Sequence, residues 1–136
     1  MIGILIVTHK ELAEALMSIY DLIQGSREGI SAVSLDPNAA PEVSRNQIQR
    51  ALAQVNNGYH GVIILTDMLG GTPSNLTLPF LQEGKVEVIT GVNLPMLMKL
   101  SQIRGQKDLG EAAAALKQSG QKGITVASEV LHKKKK

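Results

Sequence analysis

The stretch "ILIVTHKELAEAL", residues 4–16, changes within two or three residues from a strand-like pattern to a helix-like pattern. Residues 4–7 are all aliphatic, which is typical of a strand that is covered on both faces. From Leu12 onwards, apolar residues recur every three or four positions, which predicts an amphipathic helix. A strand that leads directly into a helix is the first half of a βαβ unit, so this stretch predicts an α/β fold with a parallel sheet.

The same alternation continues along the chain. Between the strand-like runs lie segments whose apolar residues have helical spacing. These residues are Leu12, Leu16, Ile19 and Ile23 in the first segment, Ile48, Leu52 and Val55 in the second, and Leu109, Ala112, Ala113 and Leu116 in the third. This pattern predicts right-handed crossovers and a three-layer, doubly wound, mostly parallel sheet, for which we expect the strand order 2-1-3-4. The strand-like runs are "IGILIV" (2–7), "ISAVSL" (30–35), "GVIILT" (61–66), "KVEVIT" (85–90) and "GITVAS" (123–128).

Length and charge indicate one folded unit. We expect residues 1–130 to form a single domain and residues 131–136 to form a disordered, Lys-rich tail. Lys133 to Lys136 supply four of the fourteen basic residues, so the body of the chain is mildly acidic despite the net charge of +2. Only 2% of the residues are aromatic, which argues against base-stacking surfaces, and we expect no nucleic-acid partner.

Composition also limits the chemistry. The sequence contains no Cys, which excludes disulfides and thiolate metal sites. No apolar run approaches the roughly 18 residues of a membrane span, so we expect no direct membrane insertion and a cytoplasmic location. We also expect no metal and no cofactor.

The loops after the first and third strands should hold the functional site, because ligands bind where the strand order reverses. In the first loop, Thr8 and Glu11 fit a capping box, which predicts that Thr8 caps the helix and that His9 is its first residue. The free N–H groups of a helix start favour an anion there. From this loop alone, the better explanation of His9 is a tolerated polar residue at a helix start.

The second loop, "TDMLGGTPSN" at 66–75, changes that balance. Gly70, Gly71 and Thr72 predict an anion-binding turn that leads into a helix, and Asp67 places a carboxylate at its rim. An Asp that accepts the Nδ1–H of a His fixes the tautomer and leaves Nε2 free to attack. The sequence offers no third triad member, no Walker lysine and no cluster of Mg²⁺ carboxylates. An activated phosphoryl donor would need only a positioned nucleophile and an anion cradle.

At these residues the chain resembles the enzyme IIA component of the mannose family of the phosphoenolpyruvate-dependent sugar phosphotransferase system. The resemblance is carried by "GILIVTH", "GVIILTDMLGGTPSN", "VITGVNLPML" and "KGITV" and covers nearly the whole chain. It implies that the phosphocarrier protein HPr phosphorylates His9 on Nε2 and that His9 passes the group to a IIB component for sugar uptake. It further implies that Asp67 orients His9, and that Gly70, Gly71 and Thr72 surround the phosphate.

The resemblance also implies a homodimer in which the last strand, 123–128, pairs antiparallel with the partner's sheet. Independently, this run follows a helix and ends the predicted domain, which makes it a candidate edge strand. Two positions depart from the family pattern, since many relatives have an aromatic residue at the position of Leu69 and Gly at the position of Lys10. Lys10 is explained either as a charge that favours the phosphoryl group or as a solvated residue.

Two alternative functions remain open from the sequence. The chain could act as a phosphorylation-dependent regulatory sensor with no direct role in sugar transport. A His-based phosphatase is a third class, but it would require an Arg beside the His, and the neighbours of His9 are Thr8 and Lys10.

Overall fold

Four parallel strands form the sheet in the order β2-β1-β3-β4. The structure is a computed structural model that describes residues 1–25, 28–106 and 108–135. The strand order and the parallel pairing confirm the prediction from the sequence. The strands are β1 (Gly3–His9), β2 (Ile30–Leu35), β3 (Val62–Thr66) and β4 (Val86–Thr90).

Helices cover both faces of the sheet, which confirms the three-layer α/β class. One apolar cluster lies between the sheet and α1, α4, α5 and α6, and a second lies between the sheet and α2 and α3. A 3-10 turn, Leu78–Phe80, follows α3. The helices are α1 (Leu12–Gln24), α2 (Pro41–Asn56), α3 (Thr72–Thr77), α4 (Leu94–Met98), α5 (Leu100–Ile103), α6 (Leu109–Lys122) and α7 (Ala127–Lys135).

Strand β1 is central and contributes to both clusters. Ile4 and Ile6 belong to the first cluster, while Leu5 and Val7 belong to the second, and all four are fully buried. This explains why the run is continuously apolar, because successive side chains of a strand point to opposite faces. β1 lies directly beside β3, so the carboxyl ends of both strands reach the same edge of the sheet.

The start of α1 differs from the capping-box prediction. The helix begins at Leu12 after Glu11, whose side chain makes no cap hydrogen bond, and His9 is the last residue of β1 rather than the first of the helix. The reason is that the pairing of β1 with β2 continues to His9, which keeps the chain extended. Thr8 still contributes, since its buried Oγ1 accepts a hydrogen bond from the N–H of Ala13 at 2.7 Å.

The apolar spacing locates α1 correctly but not the face that it buries. The buried residues are Ala13, Leu16, Met17 and Tyr20, whereas Leu12, Ile19 and Ile23 of the predicted stripe are 36–57% exposed. The helix has two adjacent apolar stripes, and only one of them faces the sheet.

The predicted strand at 123–128 is not a strand in the single chain. Residues 124–126 carry no regular structure, and α7 takes up the residues that follow. A strand requires a neighbour that pairs with it. None is present in the described part of the chain, and the sequence from 127 onwards contains Ala, Glu, Leu and four Lys residues, all of which favour a helix.

Helix α7 extends into the Lys-rich segment. It includes residues 131–135, for which the composition predicts disorder, while Lys136 lies outside the described residues. Among the helices that the structure describes, none has both the length and the apolar character to cross a membrane.

Candidate active site

His9 and Asp67 meet at the carboxyl edge of the sheet. His9 ends β1 and Asp67 directly follows β3, and the pairing of these two strands brings the residues together from positions 58 apart in the sequence. The Nδ1 atom of His9 lies 2.8 Å from Oδ2 of Asp67. The hydrogen bond that the sequence predicts between these side chains is therefore present.

The carboxylate of Asp67 is held at both oxygens. Oδ2 accepts the backbone N–H of His9 at 2.9 Å as well as the ring contact, and Oδ1 accepts the backbone N–H of Met68 at 3.0 Å. Three contacts fix the carboxylate in position and direction. His9 is thus bound to the same oxygen through its backbone and through its ring.

These contacts also determine the protonation of the pair. Burial by itself would raise the pKa of Asp67, but the hydrogen bonds from His9, the charge of its ring and the N–H of Met68 together hold that pKa below its usual value. The carboxylate is therefore ionised at neutral pH and can only accept hydrogen bonds. It follows that Nδ1 of a neutral His9 carries the proton and that Nε2 has a free lone pair.

The imidazole is open while its partner is covered. The side chain of His9 is 44% exposed and that of Asp67 is 13% exposed. A macromolecule or an anion can therefore approach the ring, whereas water has limited access to the carboxylate.

Gly71 lies against the ring on the side of Nε2. A Cβ atom at position 71 would lie 2.7 Å from Cε1 and 3.2 Å from Nε2 of His9. The first distance is shorter than real Cβ contacts, so any side chain here would displace the imidazole. Glycine at 71 is thus required for space.

Gly70 is required for a different reason. Its φ is +88°, in the left-handed region that favours glycine, and a Cβ there would meet nothing within 4 Å. The pair Thr72-Pro73 is typical of a helix cap followed by the first helical residue, but Thr72 is itself the first residue of α3 and is exposed, and Gly71 takes the cap position. The structure therefore brings Gly71 against the ring of His9. Gly70 and Thr72 are the residues directly before and after Gly71.

Lys10 has an unusual backbone. Its φ is +49°, and it is the only non-glycine residue with positive φ in the described part of the chain. For such a residue the left-handed conformation costs about 1–2 kcal/mol. The N–H of Lys10 donates to the carbonyl oxygen of Leu35 at 2.9 Å, which extends the β1–β2 ladder past His9 and holds the chain in this turn.

Two apolar side chains beside the site were only partly recognised in the sequence. Met68 is 56% exposed and Leu69 is 69% exposed, immediately after Asp67. The sequence marked Leu69 as a departure from the family pattern, but gave no reason to single out Met68. The signal that could have identified both residues is their position, since two apolar residues follow each other in the loop after β3, where the site lies.

The other histidines lie elsewhere. His60 precedes β3 at the opposite edge of the sheet, where its ring contacts the N-terminal amine at 2.8 Å and the carbonyl oxygen of Gln106 at 2.9 Å. The side chain of His132 lies outside the described residues. Within the described ranges, no group of three or more His, Cys, Asp or Glu side chains is arranged to hold a metal ion.

Several known proteins resemble this chain in sequence and in fold. The family model for the PTS system fructose IIA component matches residues 3–117. The fructose-specific EIIA component of Bacillus subtilis is 29% identical over 136 residues, which cover 99% of this chain and 92% of that protein. The mannose-specific EIIAB component of Escherichia coli K12 is 29% identical over 125 residues, which cover 90% of this chain but only 38% of that longer protein.

A solved structure agrees with these matches. The phosphotransferase system component EIIA from Streptococcus agalactiae has a TM-score of 0.84 and 27% identity, with 95% of this chain and 99% of that chain covered. The family match, the two relatives and the shared fold therefore agree with the resemblance seen in the sequence. The chain belongs to the mannose-type EIIA family, whose members are phosphoryl-carrying components of the sugar phosphotransferase system.

Proposed function

We propose that the chain accepts a phosphoryl group from phospho-HPr on Nε2 of His9 and passes it to a IIB component. The observation that carries this proposal is the 2.8 Å hydrogen bond between Nδ1 of His9 and Oδ2 of Asp67. It fixes the ring and leaves the Nε2 lone pair free, and a neutral imidazole nitrogen with a free lone pair is a nucleophile.

The proposed step is a transfer between two nitrogen atoms. The Nε2 lone pair forms a bond to phosphorus while the bond from phosphorus to the donor's imidazole breaks, and its electrons return to the donor ring. His9 gains positive charge in this step, and the ionised carboxylate of Asp67, already within hydrogen-bond distance, stabilises that charge. The same step in reverse, with a IIB component as acceptor, passes the group on.

Gly70, Gly71 and Thr72 would surround the transferred group. The absence of a side chain at Gly71 lets the backbone approach Nε2 closely. The first N–H groups of a helix have no partner within it, and the exposed hydroxyl of Thr72 is a further donor. We assign these groups to the phosphoryl oxygens.

The surface around His9 suits a protein partner. Met68 and Leu69 expose apolar side chains beside an accessible imidazole, and Met is enriched at protein interfaces. This supports a protein partner at His9, for which we propose HPr and a IIB component, and we propose a cytoplasmic location for the chain.

We also propose that two chains form a homodimer through the segment at 123–128. Strand β4 is at the edge of the sheet and, among the described residues, pairs with β3 and forms one further bridge, between Gln82 and Val86. A groove of about 430 Å³ lies between β4 and α6. Ile124 and Val126 are 75% and 56% exposed, so each chain has both an open strand edge and an unpaired β-branched segment.

Phosphorylation of His9 tests the proposed function. In a mixture with phosphoenolpyruvate, enzyme I and HPr, we expect the intact mass of the chain to rise by one phosphoryl group, because the ring of His9 is exposed and its Nδ1 is bound to Asp67, which leaves Nε2 facing a donor. His9→Ala should abolish the increase, and His60→Ala should leave it unchanged. A wild-type chain of constant mass, or a phosphate that survives His9→Ala, would refute the proposal.

Replacement of Asp67 by Asn tests the role of the carboxylate. The amide lacks charge and can flip to present NH₂ to Nδ1, which favours the wrong tautomer. We expect phosphoryl transfer to slow by at least about tenfold, since orienting and acid–base groups typically contribute roughly 10²- to 10⁴-fold. The melting temperature should stay close to that of the wild type, and rapid-quench kinetics measure the rate.

Asp36→Asn is the matched control for Asp67→Asn. Asp36 also follows a strand at this edge, but its Oδ1 accepts the N–H of Asn38 in its own loop and, in the described structure, makes no hydrogen bond with His9. This variant removes the same charge without removing a hydrogen bond to His9, and it should slow transfer far less than Asp67→Asn does. If Asp67→Asn transferred at the wild-type rate, Asp67 would be a loop cap and the proposed mechanism would be wrong.

Sedimentation velocity tests the dimer. At micromolar concentration we expect twice the chain mass of 14.5 kDa. Thr125→Pro should shift the protein to the monomer, because proline removes an N–H from the pairing segment, whereas Thr125→Ser should remain dimeric. A wild-type monomer, or a dimer that Thr125→Pro does not weaken, contradicts this proposal without affecting the chemistry at His9.

A further inference from the structure

Lys10 is held beside His9 in a conformation that a lysine does not favour. Its φ of +49° lies in the left-handed region, which the remaining positive-φ positions in the described chain fill with glycine. The hydrogen bond from its N–H to Leu35 fixes it there. A strained non-glycine residue next to a reactive group is an observation that calls for a functional explanation.

The charge of Lys10 is not used within the protein. Its side chain is exposed, and it forms no ion pair with any residue that the structure describes, including the neighbouring Glu11. The ion pair found in the described ranges joins His9 and Asp67. The ammonium of Lys10, one residue after His9 in the chain, is therefore not held by an ion pair among the described residues.

Apart from Lys10, the charged side chains in the loops at this edge of the sheet are carboxylates. The loops that lead from the four strands into the next helices, 10–11, 36–40, 67–71 and 91–93, contain three carboxylates and one basic residue. The carboxylates are Glu11, Asp36 and Asp67, and the basic residue is Lys10. A phosphoryl group on His9 would bring about two further negative charges to these loops. Lys10 is the basic residue in these loops that can offset them.

We propose that Lys10 stabilises the phosphorylated form of His9 and thereby sets the phosphoryl-transfer equilibrium between this chain and its donor. This inference rests on the proposed function, because it requires a phosphoryl group on Nε2. Lysine contacts phosphate as a flexible point charge, so the ammonium needs no fixed geometry to act. Lys10 is a tuning residue here, and the nucleophile remains His9.

The expected effect follows from its exposure. Ion pairs at exposed sites change an equilibrium by about two- to fivefold at low salt. Screening by salt reduces this effect, because the Debye length falls to about 3 Å at 1 M ionic strength. Loss of the charge should therefore move the equilibrium toward phospho-HPr, more strongly at low salt than at high salt.

The test measures how the phosphoryl group divides between HPr and this chain. Phospho-HPr is mixed with the wild type, Lys10→Asn or Lys10→Arg, and intact mass gives the equilibrium fractions. Lys10→Asn removes the charge but tolerates the left-handed backbone, and Lys10→Arg keeps the charge. Lys85→Asn is the control, since it removes the same charge from an exposed position at the opposite edge of the sheet.

We expect Lys10→Asn to lower the equilibrium constant for transfer from phospho-HPr to this chain about two- to fivefold at low salt. Its melting temperature should be equal to or above that of the wild type. Lys10→Arg should restore the wild-type value, and Lys85→Asn should not change it. An unchanged equilibrium in Lys10→Asn, or equal losses in Lys10→Asn and Lys10→Arg, would overturn the role of the charge. If the wild type itself were not phosphorylated, the proposed function would fail first, so the two failures are distinguishable.

Discussion

Oδ2 of Asp67 accepts hydrogen bonds from both the backbone N–H and the ring of His9, and the candidate site depends on this one oxygen. The backbone contact fixes where β1 ends relative to the loop after β3. The ring contact fixes the direction of the imidazole and the location of its proton. Because the pKa of Asp67 is lowered, the carboxylate keeps its charge at neutral pH and can perform both tasks.

The rest of the fold makes this contact possible. β1 and β3 are neighbours in the sheet, and both are buried on two faces by aliphatic side chains from opposite helical layers. Such close-packed strands hold their ends in fixed register. The site can therefore be built from two short loops, with His9 exposed to partners and Gly71 clearing the space beside Nε2.

The sequence was sufficient to predict the sheet order and the meeting of His9 with Asp67. Strands buried on both faces read as continuous apolar runs, and the end of each run marks the site edge. The start of α1 was mispredicted because Thr8 and Glu11 fit a capping box, whereas the pairing of β1 with β2 keeps His9 extended. Pairing between distant segments overrides a local signal of this kind.

Other features depend on contacts that local pattern does not encode. Helix α1 carries two adjacent apolar stripes, and packing on the sheet decides which one is buried. The run at 123–128 has strand propensity but no pairing partner in the single chain. Lys10 combines a left-handed backbone with a hydrogen bond from its N–H to Leu35, and the local sequence at residues 8–11 does not predict either feature.

The most direct test of the central claim is the tautomer of His9, measured by ¹H–¹⁵N NMR correlation of its ring at neutral pH. The account predicts that the neutral form of the ring carries its proton on Nδ1 and leaves Nε2 unprotonated, since the ionised Asp67 can only accept a hydrogen bond. A neutral ring with its proton on Nε2 would contradict the account, because the nitrogen assigned as the nucleophile would then have no free lone pair.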